Sequence, residues 1–130
     1  YIFEGPINAF FTKNSIAVAG ITERGKSFTQ RQEEQLDTAL KWYNKTWILD
    51  SQWVDRASLV KSEVLLKQGE KVFIWPEKFG KRFKDFNDIA IACKIDEIKW
   101  KFIQKNTFDG IKGIVRLSEI KKYRNQTYLN

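Results

Sequence analysis

Three acidic residues stand where a sheet-based enzyme would need them. Glu4 directly follows the apolar run 1–3, Asp50 directly follows the run 46–49, and Asp85 lies in the loop after the run 71–75. If these runs are strands of an open parallel sheet, all three acids fall at carboxyl ends, the edge at which such sheets bind ligands. Three carboxylates held close together repel unless a cation compensates, and carboxylate oxygens are the preferred ligands of Mg²⁺. Each acid alone reads better as a helix cap or turn residue; the set of three points to a magnesium site. Gly5, directly after Glu4, either lets a phosphate or backbone approach the first acid or simply makes a turn. Gly20, after the second apolar run, either opens the same edge or ends a strand.

Composition narrows the chemistry in the same direction. The 130 residues include no histidine, no methionine and one cysteine. That excludes Ser-His-Asp and Cys-His catalysis, His-containing or four-Cys zinc sites and an internal disulfide. Catalysis must then rest on carboxylates, amides, hydroxyls, Lys and Arg. Cys93 falls in an apolar helical stretch and is expected to be a buried structural thiol. The lack of methionine, position 1 included, marks the chain as a piece cut from something longer. The absence of a signal peptide or paired cysteines makes a reducing cytoplasm the expected setting.

Charge suggests a polyanionic partner. There are 23 basic and 16 acidic residues, a net charge of +7. Between positions 99 and 124 the eight basic residues Lys99, Lys101, Lys105, Lys112, Arg116, Lys121, Lys122 and Arg124 face two acids, Asp109 and Glu119. A second cluster, Lys78, Lys81, Arg82 and Lys84, is interleaved with Phe79 and Phe83. Basic patches carrying aromatics suit phosphate backbones and stacked bases; a solvated lysine-rich surface accounts for the charge equally well.

The elements that must position these groups follow from periodicity. Short apolar runs at 1–3, 15–19, 46–49 and 71–75 alternate with helical segments, the pattern of βα units and a largely parallel four-stranded sheet. A short helix is expected over 6–13, with Pro6 in its first turn, Ile7, Phe10 and Phe11 on its apolar side and Asn14 ending it. The next opens on the capping pattern Thr29-Gln30-Arg31-Gln32 and carries Leu36, Ala39, Leu40 and Tyr43. A third starts near Asp55, carries Leu59, Val60, Val64 and Leu66, and ends at Gly69 as a C-terminal glycine cap. Residues 77–86 form a charged, aromatic-bearing loop. Helical spacing resumes over 88–94, 96–105 and 107–122, the last with Thr107 as N-cap, and the tail 125–130 frays. Residues 1–95 form the core and 96–130 a basic helical extension of the same domain. No apolar run approaches the about 20 residues needed to span a bilayer. Aromatics at regular spacing, Trp42, Trp47, Trp75 and Trp100 among them, are expected in the core. Trp53 and Phe83, in loops beside acids, are expected to be partly exposed.

Three motifs in order carry a resemblance. Glu4-Gly5-Pro6-Ile7-Asn8-Ala9, Asp50-Ser51-Gln52 and Lys84-Asp85-Phe86-Asn87-Asp88 resemble those of the Toprim domain, the nucleotidyl-transfer and hydrolysis module of primases, topoisomerases and some nucleases. Within that family the chain looks most like primases of T-even-type phages, in the strand Val72-Phe73-Ile74-Trp75-Pro76 and in Asn106-Thr107-Phe108-Asp109-Gly110. The resemblance covers about residues 1–122. Two positions depart from it. Gln52 stands where a second aspartate is usual and Asn8 where an acid is common, so a single well-held ion is expected, with Asp55 a possible substitute ligand.

The resemblance implies a Rossmann-like Toprim sheet and residue roles. Glu4 would be a metal ligand or general base, Asp50 the main ligand and Asp85 a further one, with Gln52 a weak neutral ligand. Gly5 and Lys84 would be the cofactor-binding residues, Lys84 offsetting phosphate charge, and Lys78, Lys81 and Arg82 would join Lys84 in holding nucleic acid. It further implies Mg²⁺ or Mn²⁺, attack of a primer 3′-hydroxyl on the α-phosphate of a ribonucleotide over a single-stranded DNA template, a replicative helicase as partner, and a bacterial host cytoplasm. A fragment without the zinc-binding, template-handling parts of such enzymes would be inactive alone. A stand-alone Toprim nuclease or ribosomal-RNA maturation enzyme, and a non-catalytic nucleic-acid-binding module, stay open beside this.

Overall fold

The computed structural model describes residues 1–4, 6–9, 11–13, 15–17 and 45–129. The helix expected over 29–43, together with Gly5, Asn14, Gly20 and Trp42, lies outside the described residues. Those described fold as β1 (Ile2–Phe3), α1 (Pro6–Ala9), β2 (Ile16–Ala17), β3 (Trp47–Ile48), α2 (Arg56–Lys67), β4 (Val72–Phe73), α3 (Glu77–Gly80), α4 (Phe86–Cys93), α5 (Trp100–Lys105), β5 (Thr107–Phe108) and α6 (Gly110–Leu129). Among them no helix is long and apolar enough to cross a membrane.

The strands form one sheet in the order β2-β1-β3-β4-β5. The first four are mutually parallel: Ile2 registers with Ile16 and Trp47, Phe3 with Ala17 and Ile48, and Trp47 with Val72. This is the expected parallel arrangement. Val72, Phe73, Ile74 and Trp75 are all wholly buried, as an unbroken apolar run must be when both faces of a parallel strand are covered.

The fifth strand corrects the expected 107–122 helix. Thr107 and Phe108 pair antiparallel with Phe73 and Val72. Thr107 Oγ1 donates to the Ile103 carbonyl at 2.7 Å, closing α5 rather than capping the next helix. Gly110 has φ +55, a left-handed conformation that glycine adopts readily, and α6 begins there. It continues through the tail expected to fray, to Leu129.

Helix α2 begins after Asp55, whose extended backbone sets the N-cap. It ends as expected at Gly69, φ +84, where Glu70 N–H donates to Leu65 O at 3.0 Å and Gly69 N–H to Leu66 O at 3.1 Å, the paired bonds of a Schellman motif. The buried face differs from the apolar stripe. Ser58, Leu59, Ser62, Leu65 and Leu66 point inward while Val60 and Val64 face solvent, because Ser62 has a partner in the core, the Gln52 amide at 2.9 Å.

At the centre Phe86, from α4, meets Phe3, Phe73 and Trp75 edge-on, with ring centroids 5.6, 5.5 and 5.4 Å apart. Ile103 of α5 and Leu117 and Ile120 of α6 are equally buried. The extension therefore contributes to the same core as the sheet. Cys93, the last residue of α4, is exposed, which corrects the expected buried thiol: it lies one turn beyond the buried Phe86, Ile89 and Ala90, where the helix ends at the left-handed Lys94.

Candidate active site at the sheet edge

The strand order dictates where a site can form. From β1 the chain crosses to β2 on one side, then returns to place β3 on the other, which makes the β1/β3 boundary a topological switch point. Glu4 follows β1 and Asp50 follows β3, so both acids stand at that crevice.

Their electrostatics show how near they are. The half-buried Glu4 carboxyl is pushed up from an ordinary 4.5 to about 7, first by loss of solvent, then by the charges of Asp50 and Asp55, with Lys61 and Lys84 opposing. Asp50 is raised from 3.8 to about 6 by loss of solvent and then by Asp85, with Lys84 opposing and Asp55 and Asp88 adding further repulsion. Lys84 Nζ is 3.9 Å from Asp50 Oδ2 and its side chain is 62% exposed. The negative charge at the switch point is thus only partly compensated by the chain's own cations.

Asp85 is held by its own helix. It is the N-cap of α4, and its Oδ1 accepts from Asp88 N–H at 2.9 Å. Asn8 reaches across from α1 so that its Oδ1 accepts from Asn87 N–H at 3.0 Å. Two first-turn amides of α4 are therefore satisfied, one by the Asp85 carboxylate and one by the Asn8 side-chain amide. The loop before α4 is strapped to the end of β3: Ser51 N–H donates to Lys84 O at 2.7 Å, and Lys84 N–H donates to Asp88 Oδ2 at 3.1 Å. These bonds carry Lys84 and Asp85 to the side of Asp50.

Gln52 goes elsewhere. It is 0% exposed, its Nε2 donates to Ser62 Oγ at 2.9 Å and Phe73 O at 3.0 Å, and its Oε1 accepts from Trp75 N–H at 3.1 Å. An amide bonded at both ends inside the protein braces the sheet and offers no oxygen to an ion at the edge. Asp55, the candidate substitute, caps α2 and accepts from Ser58 Oγ at 2.6 Å while adding negative charge to the site. Among the described residues no group of three or more acid or cysteine side chains is gathered tightly enough to hold a metal ion.

The loop aromatics also differ from expectation. Trp53 is 5% and Phe83 8% exposed. Trp53 Nε1–H donates to Trp75 O at 2.7 Å, and Arg124 from α6 donates to Trp53 O at 3.0 Å. An indole with a satisfied N–H sits comfortably inside, so loop position was a poor guide. Trp100, expected inside, is exposed.

Of the expected nucleic-acid-binding residues, Lys78, Arg82 and Lys84 face solvent. Lys81 is exposed too, but its charge is paired at the surface, 2.5 Å from Glu77 Oε1 and 4.0 Å from the Tyr123 ring centroid. Two further charges act on the site: Asp88, which stood in the third motif without a role, and Lys61, which stood in none. Asp88 carried a usable signal, since an acid three residues after an N-cap aspartate marks a helix start; Lys61 carried none.

No family model matches the chain. It is 27% identical over 125 residues to the DNA primase of Enterobacteria phage T4, an alignment covering 94% of this chain and 32% of the relative. The chain thus spans about a third of the length of the curated relative it matches.

Proposed function

We propose that this chain is a Toprim-type nucleotidyl-transfer module of a DNA primase, acting on ribonucleotides and single-stranded DNA at the Glu4–Asp50 crevice with Mg²⁺ or Mn²⁺. The observation that carries the reading is the pair of half-buried, only partly compensated carboxylates at the switch point of a parallel sheet, in a chain similar over most of its length to a phage primase. Hard oxygen donors with excess negative charge fit a divalent cation. Glu4 and Asp50 would hold it, with Asp85 beside them. When bound it would supply activation of the attacking hydroxyl and charge stabilisation at the leaving pyrophosphate. In the alternative role, not bound to the ion, Glu4 would take the proton of the 3′-hydroxyl on a carboxylate oxygen. Lys84 Nζ would pair with phosphate oxygens as they enter beside Asp50.

Thermal melting with and without Mg²⁺ or Mn²⁺ tests this. Saturating metal should raise Tm by about 3 °C or more, and Asp50→Ala or Glu4→Ala should remove the rise. A second reading, a nucleic-acid-binding module without the metal, is favoured by the inward Gln52 and by the lack, among the described residues, of three acids gathered closely enough to hold an ion. Melting indifferent to metal, with retained binding to single-stranded DNA, would select it.

A further inference from the structure

Helix α5 has two unlike faces. Ile103 is fully buried and Phe102 packs inward, its ring meeting Phe73 at 5.7 Å and Phe79 at 5.4 Å. Trp100, Lys101, Gln104 and Lys105 all face solvent, and Trp100 is 55% exposed. Neither feature of the outer face helps the fold. A large aromatic left in water forgoes the burial that usually makes Trp stabilising. Lys101 and Lys105, one turn apart, repel each other. With Lys99 as N-cap, the helix and its cap carry three lysines and no acid.

We propose that this face of α5 is a binding surface for single-stranded nucleic acid, with Trp100 as the base-stacking platform and Lys99, Lys101 and Lys105 on the phosphates. Charge complementarity selects the occupant: an aromatic ring flanked by cations offers a π-face to a base and charge to the adjoining backbone. Lys101 Nζ already lies 5.8 Å from the Trp100 ring centroid, so one strand would meet both groups together. The face also connects with the candidate site. Phe79, which Phe102 packs against, stacks on Phe83 at 6.4 Å, and this segment bears the exposed Lys78, Arg82 and Lys84, the last 3.9 Å from Asp50. The proposal rests on the nucleic-acid partner of the functional reading and assigns it a second, separate contact.

Fluorescence anisotropy of the full chain with a labelled oligothymidylate, and with a strand of the same length made of abasic sites, tests it. Trp100→Ala should weaken thymidine-strand binding about ten-fold, leave the abasic strand unaffected, and be largely rescued by Trp100→Phe. The double variant K101Q/K105Q should weaken both strands and reduce the log–log salt slope by about 1.4. All variants should melt as the wild type does, since these side chains are exposed. Equal thymidine-strand affinity for Trp100→Ala and wild type, no preference of the wild type for the thymidine strand, or no binding at all would overturn the proposal and leave the face to a protein partner. The catalytic reading fails independently: a missing metal response with intact Trp100-dependent binding strikes that reading alone.

Discussion

Glu4 illustrates how far single residues could be read. Its place after β1, like that of Asp50 after β3, was legible because strand ends are marked by where apolar runs stop, and the parallel sheet then fixes which edge they share. What distinguishes them chemically, their raised proton affinity, depends on burial and on neighbours from four segments, which no local pattern contains. The direction of the shift has a testable sign. A carboxyl whose folded pKa exceeds its unfolded value binds more protons when folded. Its contribution to stability is full below about 4.5 and is lost as pH rises through about 7. Glu4→Gln, a neutral mimic of the protonated form, should therefore match the metal-free wild type near pH 4.5 and melt higher than it at pH 8. For a half-exposed group the difference should be on the order of 1 kcal/mol after solvent screening. Melting curves of both proteins across that range check it; a gap that does not grow with pH would refute the assignment. Gln52 is the opposite case. Its sequence position beside Asp50 suggested a ligand, and only the three-dimensional partners Ser62, Phe73 and Trp75 reveal a brace.

At the scale of elements, periodicity located the parallel strands and α2 but misread features that depend on contacts from afar. Thr107 and Phe108 become a strand because β4 has an unpaired edge, not because of their own spacing. The buried face of α2 follows Ser62 toward Gln52 instead of the valines. Close approach between elements is equally hidden, and two glycines show its consequences. A methyl group at Gly80 would overlap Trp53 Cδ1 and come within 2.9 Å of both Ser51 Oγ and Trp75 Cβ. These atoms are fixed by the bonds Trp53 makes to Trp75 O and Ser51 makes to Gly80 O. At Gly113 the methyl would meet only one side chain, the buried Leu66, with Cδ2 at 2.6 Å, and a small shift of that leucine would admit it. Alanine also gains about 1 kcal/mol over glycine in a helix interior. Gly80→Ala should cost about 3 kcal/mol, the upper end of overpacking, and Gly113→Ala close to nothing. Urea denaturation of the two variants separates them, and equal costs would contradict this account of the loop after β3.

For the whole molecule the question is whether 96–130 is an accessory to 1–95 or part of what folds it. Composition made this segment look like a basic extension, because its charges lie outward and are counted first. Its inward residues say otherwise. Leu117 and Ile120 are in the central core, Gly113 lies against Leu66, and Lys121 Nζ is 2.6 Å from Glu63 Oε2. Tyr123 meets Trp53 edge-on at 5.3 Å, and Arg124 holds the Trp53 carbonyl, so α6 also fixes the loop that leads from Asp50 into α2. Burying a leucine or isoleucine stabilises by about 1.5–3 kcal/mol. Removing α6 would forfeit that for Leu117 and Ile120 and expose Leu66 and Trp53 as well, a loss comparable with the about 5–15 kcal/mol that stabilises a whole domain. A chain ended after Asp109 should therefore show no cooperative thermal transition and no metal-dependent shift, whereas the full chain should melt in one step. A truncated chain that melts cooperatively and still responds to Mg²⁺ would show that the sheet and its carboxylates stand without the helix.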